Sequence, residues 1–98
     1  MTGLIALLYL ATDLSRLPGL RISWRPQEST GECTALHVGI LDAAGDVALS
    51  SVVETDGLDF TATWFDAAGA AVDKVDHETT DAAYDDVALR RSEVRAAA

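Results

Sequence analysis

Apolar positions along the chain follow two rhythms. Leu4, Leu7, Leu8, Ala11 and Leu14 recur at helical spacing behind Thr2, a capping residue type, and predict a helix from about Gly3 to Arg16. Ile5, Tyr9 and Leu10 are apolar as well, so this helix is greasy over more than one face. Arg16 in the last turn suits the helix dipole, and Pro18-Gly19 stops the helix. A short buried strand through Leu4–Leu10 is the competing reading, because periodicity does not separate the two over so short a run.

From Leu20 the rhythm changes to alternation. Leu20, Ile22 and Trp24 interleave with Arg21, Ser23 and Arg25, a strand with one apolar and one cationic face that ends at Pro26. A polar loop, Gln27–Glu32, leads to four further strands, roughly Thr34–Leu41, Val47–Thr55, Leu58–Phe65 and Ala70–Asp76. The tetrapeptide Asp-Ala-Ala-Gly occurs twice between them, at Asp42–Gly45 and Asp66–Gly69. Asp at the first position of a turn and Gly at the left-handed position after it is the chemistry of a three-residue hairpin loop with a bulge. Asp56-Gly57 in the middle connection is a two-residue hairpin signal.

These loops predict that Asp42 pairs with Asp46, Thr55 with Leu58, and Asp66 with Ala70. In that register one face collects Leu41, Val47, Leu49, Val53, Leu58, Phe60, Trp64 and Val72. The other collects Leu36, Val38, Ile40, Ala48, Val52, Phe65, Ala71 and Val75, interrupted by Thr61, Thr63 and Asp73. A sheet this apolar on both sides needs a helix on each face or a partner on one.

From Thr80 the pattern is helical again, with Tyr84, Val87, Ala88 and Val94 on one face. Asp81, Asp85 and Asp86 come early and Arg90, Arg91 and Arg95 late, the order the macrodipole favours. The predicted architecture is a single α+β domain over residues 1–98: an N-terminal helix, a mostly antiparallel five-stranded meander and a C-terminal helix. A small β-sandwich is the alternative.

Composition narrows function more by exclusion than by indication. Hydrophobic residues at 49% argue for a folded core. The net charge of −9 disfavours nucleic acid and anionic membranes as direct partners and favours a basic protein surface. All six Arg lie near the ends, while Pro26–Leu89 holds fourteen acidic residues and one base, Lys74. Low Lys and abundant Asp and Ala also fit a GC-rich genome or a salt-adapted host. The run Leu4–Ala11 is too short to span a bilayer and lacks a signal peptide's flanks, so the expected location is cytoplasmic. Cys33 is the single cysteine, which excludes an intrachain disulfide and reads as a small apolar filler.

The densest ionisable cluster is Asp73, Asp76, His77, Glu78, Asp81, Asp85 and Asp86. It lacks the order of a calcium loop, so no metal or cofactor is expected. Its carboxylates instead suggest contacts to a basic partner, with Asp73, Asp76, Glu78, Asp81, Asp85 and Asp86 imitating a phosphate backbone in the groove of a nucleic-acid-binding protein. Small acidic proteins of phages and mobile elements work this way, and the chain resembles them in size and charge alone. The expected function is thus a non-enzymatic acidic interaction protein, an inhibitor or modulator of a nucleic-acid-handling complex.

Two alternatives stand beside it. One is an assembly subunit, a homodimer for instance, that associates through the sheet face of Leu36, Val38, Ile40 and Val52. The other is a small metal-binding or hydrolytic protein that uses His37 or His77, with Ser51 facing His37 in the register above. Trp24, Trp64 and Phe65 offer stacking surfaces, but alternation turns Trp24 away from Arg21 and Arg25, and Trp64 reads as core.

Overall fold

The computed structural model describes residues 2–26 and 34–97; the loop read over Gln27–Glu32, the filler role of Cys33 and the side-chain cap read at Thr2 lie outside the described residues. The order is α1 (Thr2–Leu14), β1 (Leu20–Pro26), β2 (Thr34–Leu41), β3 (Val47–Thr55), β4 (Phe60–Asp66), β5 (Ala71–His77) and α2 (Thr80–Ala96). The strands form one five-stranded sheet in the order β1-β2-β3-β4-β5, antiparallel throughout. The expected α+β meander between two helices is therefore the observed fold, and the strand reading of Leu4–Leu10 is excluded by α1.

Leu7, Leu10 and Leu14 of α1 are fully buried, a stripe at helical spacing that docks on the sheet. The chain leaves α1 through tighter turn bonds, with Arg16 N–H donating to the Asp13 carbonyl and Leu17 N–H to that of Leu14, so the helix stops two residues short of Arg16. Gly3 fits where a Cβ would come within 2.8 Å of Thr55 Oγ1 and 3.1 Å of Gly57 Cα. The start of α1 thus seats on the β3–β4 turn. Helix α2 is capped by Thr79, whose side chain accepts from the Ala82 N–H at 3.1 Å, and it buries Ala83 and Val87.

Both Asp-Ala-Ala-Gly loops fold as their chemistry demands. Asp42 Oδ1 accepts from the N–H groups of Ala44 and Asp46, and Asp66 Oδ1 from those of Ala68 and Ala70. Gly45 and Gly69 hold φ of +85° and +86°, the left-handed conformation the turn needs. The predicted pairs Asp42–Asp46 and Asp66–Ala70 are present as backbone bonds of 2.8 and 2.9 Å.

Beyond each loop the register departs from expectation. Leu41 pairs with Val47 but Ile40 pairs with Leu49, so Ala48 is the extra residue of a bulge. Phe65 pairs with Ala71 but Trp64 with Asp73, so Val72 is the extra residue of a second one. The two bulges occupy the same place after the same loop. Each exchanges the faces of the strands it joins, because side chains alternate with a period of two residues. The middle connection also differs. Asp56 Oδ1 accepts from the N–H groups of Leu58 (2.9 Å) and Asp59 (2.8 Å), which opens the loop until Thr55 pairs with Phe60 rather than Leu58. β4 therefore starts at Phe60, and Leu58 stands 82% exposed in the turn instead of lining a face.

The corrected register gathers the apolar residues on one side. Leu36, Val38 and Ile40 share a face with Leu49, Val53, Ala62, Trp64 and Val75, and Ile22 and Leu20 extend it on β1. Both helices pack on this face and on each other. The opposite face carries Arg21, Ser23, Arg25, His37, Ser50, Glu54, Thr61, Thr63, Lys74 and Asp76 around Val47, Val52 and Phe65. The sheet is thus apolar on one side and mixed on the other, not apolar on both. Leu36, Val38 and Ile40 are sealed under the helices at 0% exposure, so of the proposed association face only Val52 faces outward.

Candidate functional site

The six carboxylates singled out in the sequence separate into two groups, according to which face of β5 or α2 they occupy. On β5, Asp73 sits opposite Trp64 on the helix-covered face, while Asp76 sits opposite Thr61 on the open face. On α2, Asp86 turns inward and Asp81 and Asp85 remain exposed, one turn apart. Glu78, between the two elements, is exposed.

Asp73 and Asp86 meet at Arg90. The guanidinium donates from Nη2 to Asp73 Oδ2 at 2.7 Å and from Nε to Asp86 Oδ1 at 2.9 Å. It also lies over the Trp64 ring, 4.4 Å from the centroid, a cation–π arrangement. Trp64 Nε1–H donates to the other Asp86 oxygen at 3.2 Å, which gives the buried indole its polar partner. His77 Nε2 stands 3.4 Å from that same oxygen without a hydrogen-bond geometry, a charge contact at most. The cluster bridges α2, β4 and β5 and fixes the helix to the sheet. Arg90's hydrogen bond, with help from the Lys74 N–H, holds the Asp73 carboxyl below the usual range. Burial works against the charge of Arg90, but the bonds to Asp73 and Asp86 outweigh it and raise the guanidinium further.

The other four carboxylates carry no ion pair among the described residues. Asp76 accepts a bond from Thr61 Oγ1–H at 2.9 Å, which orients it without neutralising it. Asp81 stands in the first turn of α2, where the N-terminal end of the helix dipole favours an anion. The sequence reading missed the division because one residue, Arg90, makes it. The Asp86/Arg90 spacing of four was visible as a helix pair, whereas Asp73 joins only through the packing of α2 on β5.

The imagined Ser51–His37 pair does not exist. With the bulge at Ala48 counted, Ser51 lies opposite Val38, fully buried on the covered face, and His37 lies opposite Val52 on the open one. The hydroxyl near His37 is that of Ser23, 3.4 Å from Nδ1. Burial, then the charge of Arg25, lowers the His37 pKa. Trp64 is core, as expected, and Trp24 faces away from Arg21 and Arg25, also as expected. No group of three or more His, Cys, Asp or Glu among the described residues is placed to hold a metal ion, and no helix there is long and apolar enough to cross a membrane. A shallow groove runs along the C-terminal half of α2 beside the β2–β3 loop, lined by Ala48, Leu49, Leu89, Arg90, Glu93 and Val94.

No family model, curated protein or solved structure matches the chain.

Proposed function

We propose that the protein is a non-enzymatic interaction protein that offers an anionic surface to a basic protein partner in the cytoplasm. Its sharpest form is an inhibitor or modulator of a nucleic-acid-binding complex, of the kind phages and mobile elements encode. The observation that carries this reading is the group of exposed carboxylates that no cation among the described residues pairs with where β5 passes into α2: Glu78, Asp81 and Asp85, with Asp76 on the adjoining open sheet face. A partner's Lys and Arg gain both direct attraction and released counterions by neutralising such a group, as they do on phosphate. Asp73 and Asp86 take a supporting role, because Arg90 already occupies them.

The test is affinity capture from an extract of the source organism at low and high salt. Immobilised wild type should retain a basic protein at low ionic strength and release it as salt screens the contact. The fourfold variant Asp76→Asn, Glu78→Gln, Asp81→Asn, Asp85→Asn should retain none, with circular dichroism confirming its fold. Equal retention by the variant, or retention indifferent to salt, refutes the reading.

A further inference from the structure

The outward face of α1 carries three of the large apolar side chains that the core leaves exposed, whereas α2 leaves only Leu89 among its described residues. While Leu7, Leu10 and Leu14 pack inward, Ile5, Leu8 and Tyr9 stand outward, 51%, 50% and 68% exposed. With Thr12 they fall at helical spacings of three and four, the seam by which one helix packs along another. The Thr12 hydroxyl is already used, donating to the Leu8 carbonyl at 2.9 Å, whereas the exposed phenol of Tyr9 makes no hydrogen bond among the described residues.

The charge distribution says which partner fits. No charged side chain occurs before Asp13, so the whole net charge of −9 arises after this stripe. Two copies meeting at most other surfaces set like charges against each other. Along the stripe of Ile5, Leu8, Tyr9 and Thr12 they meet without charged side chains, the exposed Asp13 lying past its end, and an antiparallel two-fold arrangement also opposes the two helix dipoles favourably. A bilayer fits less well: interfacial helices carry a Lys- and Arg-rich polar face, whereas α1 has no Lys or Arg and turns Leu7, Leu10 and Leu14 into the core.

We infer that Ile5, Leu8 and Tyr9 form the contact of a weak, two-fold homodimer packed α1 against α1. The exposed parts of three such side chains amount to roughly 350 Å² per copy, or about 700 Å² for the pair. That is below the roughly 1,200 Å² of a stable interface, which places the dimer among concentration-dependent associations. This contact lies away from the carboxylates of the proposed binding surface and stands or falls independently of them.

Sedimentation velocity from about 10 μM to about 1 mM tests it. The wild-type coefficient should climb from the monomer toward the dimer value. Leu8→Glu and, separately, Tyr9→Glu should hold it at the monomer value throughout, because each sets like charges against each other across the two-fold. Both sites are exposed and Glu is a good helix former, so the fold survives, which circular dichroism verifies. Val52→Glu, on the open sheet face, should associate as wild type does. The inference is overturned by a wild-type coefficient that stays flat, by association that persists in both α1 variants, by its loss in Val52→Glu alone, or by wild-type binding to phosphatidylcholine vesicles without self-association.

Discussion

Replacing Arg90 with Met keeps an unbranched stem against the Trp64 ring and removes the charge that ties α2 to β4 and β5. The cost can be built from the geometry. The Nε bond to Asp86 joins two side chains only 21% and 17% exposed, and a charge-assisted bond in such a setting contributes about 1.5–3 kcal/mol. The cation–π contact adds about 1 kcal/mol, part of which Met recovers through its own contact with the ring. The Asp73 arm is nearly half exposed and adds little. A net loss of about 2–3 kcal/mol follows, and at about 4–8 °C per kcal/mol for a chain of this size the melting temperature should fall by about 10–20 °C.

Thermal melts by circular dichroism and by Trp fluorescence measure this. A double-mutant cycle with Asp86→Asn should return a coupling of about 1 kcal/mol or more. The gap between wild type and Arg90→Met should also narrow slightly in acid. Asp73's folded pKa is depressed, so its contribution is complete above the unfolded value near 4 and is lost as pH falls through the folded one. A melting temperature within a degree or two of wild type, together with zero coupling, would show that the clamp decorates the helix without holding it.

Two further outcomes follow from the loops and the open face. Asp42→Ala and Asp66→Ala each remove an acceptor of two backbone N–H groups, so each should cost about 1–2 kcal/mol in urea denaturation, and by nearly equal amounts because the two loops make the same bonds; a large inequality would mean that the loops are not equivalent. Since the His37 pKa is lowered in the folded protein, the unfolded chain takes up a proton first as pH drops past about 6.5, and stability declines from there downward. His37→Gln should flatten part of that decline between pH 7 and 5 (measured as midpoint against pH), and coincident curves would exclude the effect.

Turn chemistry made most of the fold readable. The Asp-Ala-Ala-Gly loops end β2 at Leu41 and start β3 at Val47, as the sequence implies, and the same composition opens β5 one residue later than expected. What escaped was a single residue in each hairpin. Ala48 and Val72 are small or apolar like their neighbours, so nothing local marks them as bulged, yet each reverses the faces. That reversal created the supposed two-sided apolar sheet and the supposed Ser51–His37 pair. Asp56-Gly57 misled in a different way: the Asp side chain bonds forward to Leu58 and Asp59 and stabilises a wider loop than the dipeptide suggests. Within the acidic cluster, sequence proximity showed which carboxylates are neighbours along the chain but not their allegiances. Those depend on which strand face and which helix side each one takes, and the register decides that.

Each strand pairs only with its neighbour in sequence, so the sheet can assemble hairpin by hairpin with little loop-closure cost. Its cover, however, is split between the two ends of the described chain, α1 ahead of every strand and α2 behind them all. On the ribosome the meander therefore emerges half-roofed, with Trp64 awaiting α2, which follows every strand. Until that helix arrives the nascent sheet presents a greasy flank to the cell, so premature termination or slow translation near Thr80 should create the most aggregation-prone species this chain can produce.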